Sequence, residues 1–553
     1  MTLSSSALKT IPLFKSLGDE DLALIASHLH RERHAKGALI FREGDAGETM
    51  YLVESGQVAV VGRDIKETIA FLGPGSFVGE ISLLLAQPRT ASLQVTIDAE
   101  LWAFHKDDFE KLVLTRPTIA KEMMRELGRR LVTTTQRKQP LVRRRVTALF
   151  GGQQRVGLCQ AIHQKLKQPV GVLPLPGVRF QGDATLDAGI MLLSNESLDE
   201  ENLAKGLGYQ VEVFKHVVIF MPDKPSSLAW KALDLADTIV SIGSPPAWLK
   251  PAANGARGLS DTQELWQISP SAVDIARAAR RLTNRTVGLA LSSGGARGLA
   301  HIGVLKALME ADVPIDLVSG TSGGAWFGAL YCAGWQVDDF NKFVSNIGRR
   351  IFRLANADFN FPPTTALFKG RKARDRIITQ TVRVKTFEEL KTPLYIVAAD
   401  ILTGEEVVFD SGSLTDAIRA SLSVPVLFDP WKYQGRYFVD GGVVNPLPAN
   451  ILRRQGADIV IGSSVIQSLS DSYSGRRDKM PHILQSVFNI VSAMESEVVT
   501  KQLPLIDILI QHRVAAKHTL DFEQSLAMVQ AGEEAARQML PQIKQAIDTP
   551  PAS

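Results

Sequence analysis

Two glycine turns, each set between an apolar strand and a helix, constrain the fold of this chain more than any other feature. The first lies in "VGLALSSGGARGLAHIGVL" (287–305), and the second lies in "IDLVSGTSGGAW" (315–326). Strand–turn–helix units that follow one another in this way predict an α/β sheet with mainly parallel strands. The later apolar strands "PLYIVAAD" and "DIVIGSSV" continue the alternation, so we expect this domain to span residues 286–548.

The serine of the second turn, Ser322, is a candidate nucleophile. Residues 320–324 read G-T-S-G-G and fit G-x-S-x-G, in which a tight strand-to-helix turn exposes a serine at a helix N-terminus. Gly320 and Gly324 would permit the sharp backbone turn. Taken alone, the same pattern also fits a structural turn whose serine only caps the helix.

The first turn offers a row of backbone N–H groups at a helix N-terminus, which is an arrangement that binds anions. Its sequence is close to G-x-G-x-x-G, so nucleotide binding is one interpretation. Because a serine turn follows it, an oxyanion hole is the more coherent interpretation. The predicted oxyanion loop consists of Gly294, Gly295, Ala296, Arg297 and Gly298.

A third feature, "RYFVDGGVVNPLP" (436–448), places Asp440 at the end of an apolar strand and before a Gly-Gly turn. An Asp-Gly turn is common and alone indicates nothing more than a turn. A Ser–His–Asp triad would need a histidine as base, and none of the candidates stands in a glycine turn at a strand end. These histidines are His301, His482, His512 and His518.

Together the three stretches resemble the patatin-like phospholipase family, from about residue 287 to residue 535. The resemblance implies that Ser322 is the nucleophile, Asp440 the base of a Ser–Asp dyad, and 294–298 the oxyanion loop. It implies neither a metal nor a cofactor for catalysis. The chain departs from the family at Ser293, where the loop usually begins with a further glycine, and a Cβ there restricts the backbone.

The N-terminal part, residues 1–135, contains short strands separated by glycines, which predicts a compact β-roll. Within it, "GSFVGEISLLLAQPRTASLQV" (75–95) resembles the phosphate-binding cassette of cyclic nucleotide-binding domains. The resemblance implies that Arg89 binds the cyclic phosphate, Glu80 the ribose hydroxyl, and Gly79 and Thr90 add contacts. cAMP or cGMP would then be a regulatory ligand, and a roll that has lost its ligand is the alternative.

Between these parts, residues 136–145 ("QRKQPLVRRR") predict a basic linker and residues 146–282 an α/β spacer domain. The strands "HVVIFMP" and "DTIVSIG" flank a helical segment, which is a βαβ pattern. The spacer has no G-x-x-x-x-G-K-[ST] phosphate-binding sequence, so we expect a structural or docking role. The chain is therefore predicted to be multidomain, with a β-roll, an α/β spacer and a patatin-like α/β/α hydrolase domain.

The formal net charge of +4 is mild, although nine Lys and Arg residues lie between positions 121 and 145. No helix-turn-helix pattern accompanies them, so we expect no nucleic-acid polymer as partner. A solvated helix and linker is the favoured interpretation, and attraction to anionic lipid is the alternative. The oligomeric state is not predicted.

The chain shows neither a signal peptide nor a run of about 18 apolar residues, and any membrane contact is expected to be peripheral. Its two cysteines, Cys159 and Cys332, lie far apart, which favours a reducing compartment. We expect a cytoplasmic protein that can reach the inner membrane face.

The order of the three domains resembles neuropathy target esterases and their bacterial relatives. That resemblance implies a serine esterase of phospholipids or lysophospholipids, regulated by a cyclic nucleotide. The alternatives are a cyclic-nucleotide-responsive binding protein with an inactive hydrolase fold, and a hydrolase of non-lipid esters. Segment 349–370 is predicted to form an acyl-entry lid or an interfacial surface. The equal alternative is that its aromatic side chains belong to the hydrophobic core. These side chains are Phe352, Phe359, Phe361 and Phe368.

Overall fold

The computed structural model describes residues 8–9, 14, 18–62, 68–85, 87–108, 111, 146–178, 189–195, 198–249, 259, 264–355, 360, 365–369, 374–466, 483–512 and 524–549. The predicted basic linker at 136–145 lies outside these residues. The chain divides into two compact units, Met1–Asn284 and Arg285–Ser553.

The first unit begins with an antiparallel sheet of six strands. Its elements are α1 (Asp19–Ser27), β1 (His30–His34), β2 (Leu39–Phe41), β3 (Thr49–Val61), β4 (Thr68–Leu72), β5 (Phe77–Val78), α2 (Glu80–Leu85) and β6 (Ser92–His105). Strands β3 and β6 form its centre and pair antiparallel along most of their length. Buried and half-buried residues alternate over Leu93–Ala99 of β6, as expected for a strand with one buried face, whereas Ser55–Ala59 of β3 and Ala99–Phe104 of β6 are buried at every position. The predicted β-roll is confirmed.

A second, fully parallel sheet completes this unit, in the order β12-β11-β7-β10-β8-β9. Its elements are β7 (Val146–Phe150), α3 (Gln154–Leu166), β8 (Val170–Pro174), β9 (Ile190–Leu192), α4 (Glu200–Val213), β10 (Val217–Phe220), α5 (Ser227–Leu235), β11 (Thr238–Ile242), β12 (Leu265–Ile268) and α6 (Ala272–Leu282). Neighbouring residues such as Val218 and Ile219 of β10 belong to apolar clusters on opposite faces. Burial on both faces explains why these strands are continuous apolar runs.

The two sheets of the first unit pack closely on each other. Ile97 of β6 belongs to the apolar cluster on one face of the parallel sheet. A Cβ at Gly208 of α4 would lie only 2.7 Å from the backbone nitrogen of Gly56 in β3, so the two backbones nearly touch. Lys231 pairs with Asp98 across the same contact. The boundaries of the roll and the spacer within this unit stay predictions.

The second unit is built on an eight-stranded sheet in the order β17-β18-β15-β14-β13-β19-β20, with β16 also paired to β15. Its elements are β13 (Val287–Leu291), α7 (Ala300–Glu310), β14 (Leu317–Thr321), α8 (Gly323–Cys332), α9 (Val337–Ala355), α10 (Arg374–Thr381), β15 (Leu394–Asp400), β16 (Glu406–Phe409), α11 (Leu414–Ser421), β17 (Trp431–Tyr433), β18 (Arg436–Asp440), α12 (Ala449–Arg454), β19 (Ile459–Ser464), α13 (Ile483–Gln502), β20 (Ile508–Gln511) and α14 (Ser525–Asp548). Strands β15, β14, β13, β19 and β20 are parallel, β16 and β18 each pair antiparallel with β15, and β17 pairs antiparallel with β18. The predicted α/β fold with mainly parallel strands is confirmed.

Helices cover both faces of this sheet. Leu289 and Leu291 of β13 pack in an apolar cluster with residues of α7, α8 and α14. The intervening Ala290 packs on the opposite face with residues of α12, among them Leu452. Every residue of β13 is buried, which is the pattern of a central parallel strand.

Helices α7 and α14 cross at glycines, directly behind the start of α7. A Cβ at Gly303 would lie 1.9 Å from the carbonyl oxygen of Val529, and one at Gly532 would lie 1.9 Å from that of Ala300. Only glycine allows backbones to approach so closely. This contact fixes the start of α7, the residues that immediately follow the predicted oxyanion loop.

We expect Gly532→Ala to lower the free energy of unfolding by about 1–3 kcal/mol, because an added methyl group would overpack this crossing. Urea unfolding of the full chain, followed by far-ultraviolet circular dichroism, measures the change. Gly206→Ala is the matched control, since Gly206 is exposed on α4 and a Cβ there meets nothing within 4 Å. The control should be stabilised by up to about 1 kcal/mol through helix propensity. Equal stability of Gly532→Ala and the wild type would contradict the close crossing.

Candidate active site

Ser322 lies in a strained turn between β14 and α8. Its backbone angles are φ 57° and ψ −121°, a conformation that costs free energy for any residue with a Cβ. A Cβ at Gly320 would lie 2.7 Å from the nitrogen of Ala325, and one at Gly324 would lie 2.4 Å from the oxygen of Leu291. Both flanking positions therefore require glycine, which is the geometry that the G-x-S-x-G pattern predicts.

A hydrogen bond from a distant helix holds the turn. The N–H of Ser322 donates to Ser421 Oγ at 2.8 Å, and that hydroxyl donates to the carbonyl oxygen of Val397 at 2.6 Å. Ser421 lies at the end of α11 and is fully buried. The sequence did not reveal this supporting role, because Ser421 is 99 residues from Ser322 and no local pattern links the two.

Asp440 lies beside Ser322 because of the strand register. Thr321 of β14 is opposite Val397 of β15, and the next residue of β15, Ala398, is opposite Asp440 of the antiparallel β18. Ser322 Oγ donates a hydrogen bond to Asp440 Oδ2 at 2.5 Å. The other carboxylate oxygen accepts from the N–H of Gly442 at 2.8 Å. The structure thus brings together two groups that lie 118 residues apart.

The surroundings of Asp440 change its acidity. Burial raises the pKa of Asp440 to about 6, and the hydrogen bonds from Ser322 and Gly442 act in the opposite direction. A carboxylate with this pKa is ionised at neutral pH and is a stronger base than an exposed aspartate, whose pKa is about 3.9. The arrangement can therefore accept the Ser322 proton.

The glycine loop after β13 packs directly against the serine turn. A Cβ at Gly298 would contact the Cα of Gly323 at 3.5 Å, and one at Gly323 would lie 3.2 Å from the oxygen of Gly295. Since Gly323 follows Ser322, the loop runs alongside the hydroxyl-bearing turn. Glycine at position 323 allows this approach, whereas a Cβ at position 298 would make an ordinary van der Waals contact.

The loop itself forms a tight turn at Gly295–Leu299, with Gly295 at φ 57°. Arg297 N–H donates to the oxygen of Gly294. Across the described part of the chain, no hydrogen-bond acceptor is found for the backbone N–H groups of Gly294, Gly295 and Ala296. Donors that are held in place and unused can stabilise an oxyanion.

Ser293, the position that departs from the family's loop, has two partners. Its N–H donates to the oxygen of Pro446 at 2.8 Å, and its hydroxyl donates to Glu495 Oε1 at 2.8 Å. Ser293 is not among the residues with positive φ. The backbone here therefore does not need the freedom of glycine, and the Cβ of Ser293 causes no backbone strain.

Two of the candidate histidines have hydrogen-bond partners other than Ser322. His301 Nδ1 and Nε2 lie 2.7 Å from Ser463 Oγ and 2.9 Å from the oxygen of Ser292. His512 Nε2 lies 2.9 Å from the same Ser463 hydroxyl. Burial lowers the pKa of His301 to about 4 and that of His512 to about 3, so both rings are neutral near pH 7. Within the described residues neither ring contacts Ser322 through a hydrogen bond, and His482 and His518 lie outside those residues.

In the β-roll, three of the four predicted nucleotide-binding residues lie together. The guanidinium of Arg89 donates to the oxygens of Gly79 at 3.2 Å and Thr49 at 2.6 Å, and it lies 4.0 Å from the ring centre of Phe41. Gly79 has φ 87°, and a Cβ there would meet Arg89 Nη1 at 2.5 Å. Glu80, the first residue of α2, is buried and its charge acts on Arg89. Thr90 is exposed.

The predicted lid segment is only partly described. Phe352 belongs to α9, Phe359 and Phe361 lie outside the described residues, and Phe368 packs on Phe428 with ring centres 6.2 Å apart. The lid therefore stays a prediction. The described part of the chain contains no cluster of three or more metal-binding side chains, and none of its helices has the length and apolarity to cross a bilayer.

Comparisons with known proteins match two parts of this chain to known families. Residues 289–453 match the model of the patatin-like phospholipase family, and residues 31–116 match that of the cyclic nucleotide-binding domain. An uncharacterised NTE family protein of Mycobacterium tuberculosis is 24% identical, over 98% of this chain and 97% of its own length. Human patatin-like phospholipase domain-containing protein 6 is 27% identical, over 79% of this chain and 38% of its own length. The lysophospholipase nte1 of Aspergillus fumigatus is 25% identical, over 79% and 36% respectively.

We expect the rate at which a fluorophosphonate labels Ser322 to fall as the pH is lowered through about 6. Asp440 loses its negative charge in this range and can no longer accept the serine proton. Mass spectrometry of the labelled peptide measures the rate, and Ser322→Ala should give no labelling at that position. A labelling rate that is constant between pH 5 and pH 8 would contradict the assignment of Asp440 as the base.

Proposed function

The chain carries a patatin-like phospholipase domain and a cyclic nucleotide-binding domain, and from this premise we propose that it hydrolyses acyl esters of phospholipids or lysophospholipids. Its class is that of the carboxylic ester hydrolases. Ser322 is the nucleophile and Asp440 the base of a Ser–Asp dyad. The observation that carries this proposal is the 2.5 Å hydrogen bond from Ser322 Oγ to Asp440 Oδ2.

In the first half of the reaction, Ser322 Oγ attacks the acyl carbonyl carbon and its proton passes to Asp440. The carbonyl electron pair moves to the oxygen, and the N–H groups of Gly294, Gly295 and Ala296 bind the resulting oxyanion. When the tetrahedral intermediate collapses, the ester C–O bond breaks. The leaving alcohol takes the proton from Asp440, and an acyl-Ser322 intermediate remains.

In the second half, water attacks the acyl-enzyme while Asp440 accepts a water proton. The fatty acid leaves, and the proton returns to Ser322. A histidine is not needed, since Asp440 touches the serine hydroxyl directly and burial raises its pKa to about 6. The neutral ring of His301 instead supports the oxyanion loop through its hydrogen bond with the carbonyl oxygen of Ser292.

The preference for lipid substrates is supported by the relatives. The Aspergillus protein is named a lysophospholipase, and the human protein carries the name of a phospholipase domain. A hydrolase of non-lipid esters would keep the same dyad and differ in the acyl-binding surface. Comparison of lysophosphatidylcholine with short p-nitrophenyl esters distinguishes the two, since a lipid hydrolase should have the higher kcat/KM for lysophosphatidylcholine.

We expect Ser322→Ala and Asp440→Asn each to reduce fatty-acid release from lysophosphatidylcholine by about 10³-fold or more, because each removes one half of the dyad. The matched controls are Ser411→Ala and Asp410→Asn, which change exposed residues of the same unit. Both controls should retain the wild-type rate. Fatty-acid release by Ser322→Ala at the wild-type rate would contradict the hydrolase proposal. A wild type that releases no fatty acid and is not labelled by fluorophosphonate would also contradict it, and would favour a binding protein with an inactive fold.

We further propose that the β-roll binds cAMP or cGMP and that binding regulates hydrolysis. The proposal is supported by the grouping of Gly79, Glu80 and Arg89 at the start of α2. Arg89 is buried and engages two neutral carbonyl oxygens, and its Nε has no partner within the described residues. A cyclic phosphate would supply the negative charge that this guanidinium lacks as a direct partner.

Calorimetry with cAMP and with cGMP should show binding of at least one nucleotide to the wild type. Arg89→Ala should weaken that binding by about 10-fold or more, since a charge-assisted hydrogen bond contributes about 1.5–3 kcal/mol. Arg33→Ala, which changes an exposed arginine of β1, is the control and should bind as the wild type does. Hydrolysis measured with and without the nucleotide gives the sign of regulation. The absence of heat with both nucleotides would identify a roll that has lost its ligand.

A further inference from the structure

A second carboxylate lies next to the Ser322–Asp440 pair. Helix α13 packs against the turn Gly441–Val443 that follows Asp440, and Glu495 of this helix points toward the turn. A Cβ at Gly442 would lie 2.5 Å from Glu495 Oε1 and 3.2 Å from Asp440 Oδ1. Glycine at position 442 therefore leaves the space in which the two carboxylates approach each other.

The same oxygen of Glu495 accepts the hydrogen bond from Ser293 Oγ at 2.8 Å. Ser293 is the residue immediately before the glycine loop. One side chain thus contacts the start of the oxyanion loop and also borders the turn that orients Asp440. Glu495 thus connects helix α13 directly to both segments.

We propose that Glu495 is a positioning residue for ester hydrolysis, which holds the oxyanion loop through Ser293 and acts on Asp440 and Arg297 through its charge. This inference rests on the proposed function. It assigns a role to a side chain that lies 202 residues from its hydrogen-bond partner.

The loop needs such an anchor because its own backbone is permissive. Gly294 and Gly295 follow Ser293, and Gly295 has φ 57°. Glycines lose more conformational freedom than other residues when they are fixed, whereas an oxyanion hole works only if its donors are fixed beforehand. Ser293 is held at its N–H by Pro446 and at its hydroxyl by Glu495. The serine that replaces a glycine therefore gives the loop a side-chain attachment.

Two charged groups act on Glu495. Burial raises the pKa of Glu495 to about 7, the hydrogen bond from Ser293 lowers it, the charge of Asp440 raises it and the charge of Arg297 lowers it. Repulsion between the carboxylates couples their titrations, so ionisation of one makes protonation of the other more favourable. Burial lowers the pKa of Arg297, within the loop, and the charge of Glu495 acts in the opposite direction.

The test compares Glu495→Ala, Glu495→Gln, Ser293→Ala and the double variant Ser293→Ala/Glu495→Ala in lysophosphatidylcholine hydrolysis. We expect Glu495→Ala to reduce kcat on the order of 10- to 100-fold, because small displacements of catalytic donors have effects of this size. KM should change by less than about threefold, as for an interaction expressed mainly in the transition state. Glu495→Gln should recover part of kcat, because its amide oxygen can still accept from Ser293.

The double variant should be no slower than the slower single variant, because both single changes break the same hydrogen bond. The acidic side of the kcat/KM profile should change shape in Glu495→Gln, because only the titration of Asp440 remains where the wild type has two coupled carboxyl titrations. Glu497→Ala is the control, because Glu497 is exposed on the same helix. It should match the wild type in rate and pH profile.

Thermal unfolding of each variant distinguishes an unfolded variant from a folded one whose oxyanion loop is displaced. If Glu495→Ala is unfolded, the test rests on Glu495→Gln and Ser293→Ala. Wild-type kcat and an unchanged pH profile in Glu495→Gln, together with wild-type kcat in Ser293→Ala, would overturn this inference and leave the hydrolase proposal standing. Losses that multiply in the double variant would also overturn it, since the residues would then act independently. A wild type that hydrolyses no ester would overturn both.

Discussion

The hydrogen bond between Ser322 and Asp440 depends on the register in which β18 pairs with β15. β14 and β15 are parallel, and β18 runs antiparallel to β15, so its final residue is opposite Ala398 and next to the end of β14. Asp440 therefore contacts the serine hydroxyl directly, without an intermediate side chain.

Glycine contacts determine how closely the parts of this site approach. The loop after β13 lies against the serine turn through Gly298 and Gly323, and α7 lies against α14 through Gly303 and Gly532. A methyl group at Gly303 or Gly532 would prevent the helix crossing, and one at Gly323 would be tight against the loop. The oxyanion loop is therefore held from two sides, by the serine turn at its end and by the helix crossing behind it.

Buried polar groups complete the support. His301, Ser463 and His512 form a hydrogen-bonded group beneath Ser292, while Glu495 and Pro446 hold Ser293. Both histidine rings are neutral, since burial lowers the pKa of each. A neutral ring can donate at one nitrogen and accept at the other, which suits a structural bridge.

The sequence by itself determined the fold class, the two family resemblances and the residues that stand in glycine turns. Local patterns carry this information, because a tight turn or a buried strand restricts which residues can occupy neighbouring positions. Ser322, Asp440 and Arg89 could be named for that reason. The partners of these turns could not, since Ser421 and Glu495 are ordinary helix residues in the sequence. Only the tertiary structure decided that Ser421 holds the serine turn and that Glu495 meets Ser293. Strand register and helix packing bring these residues together, and contacts between distant segments leave no pattern in one sequence.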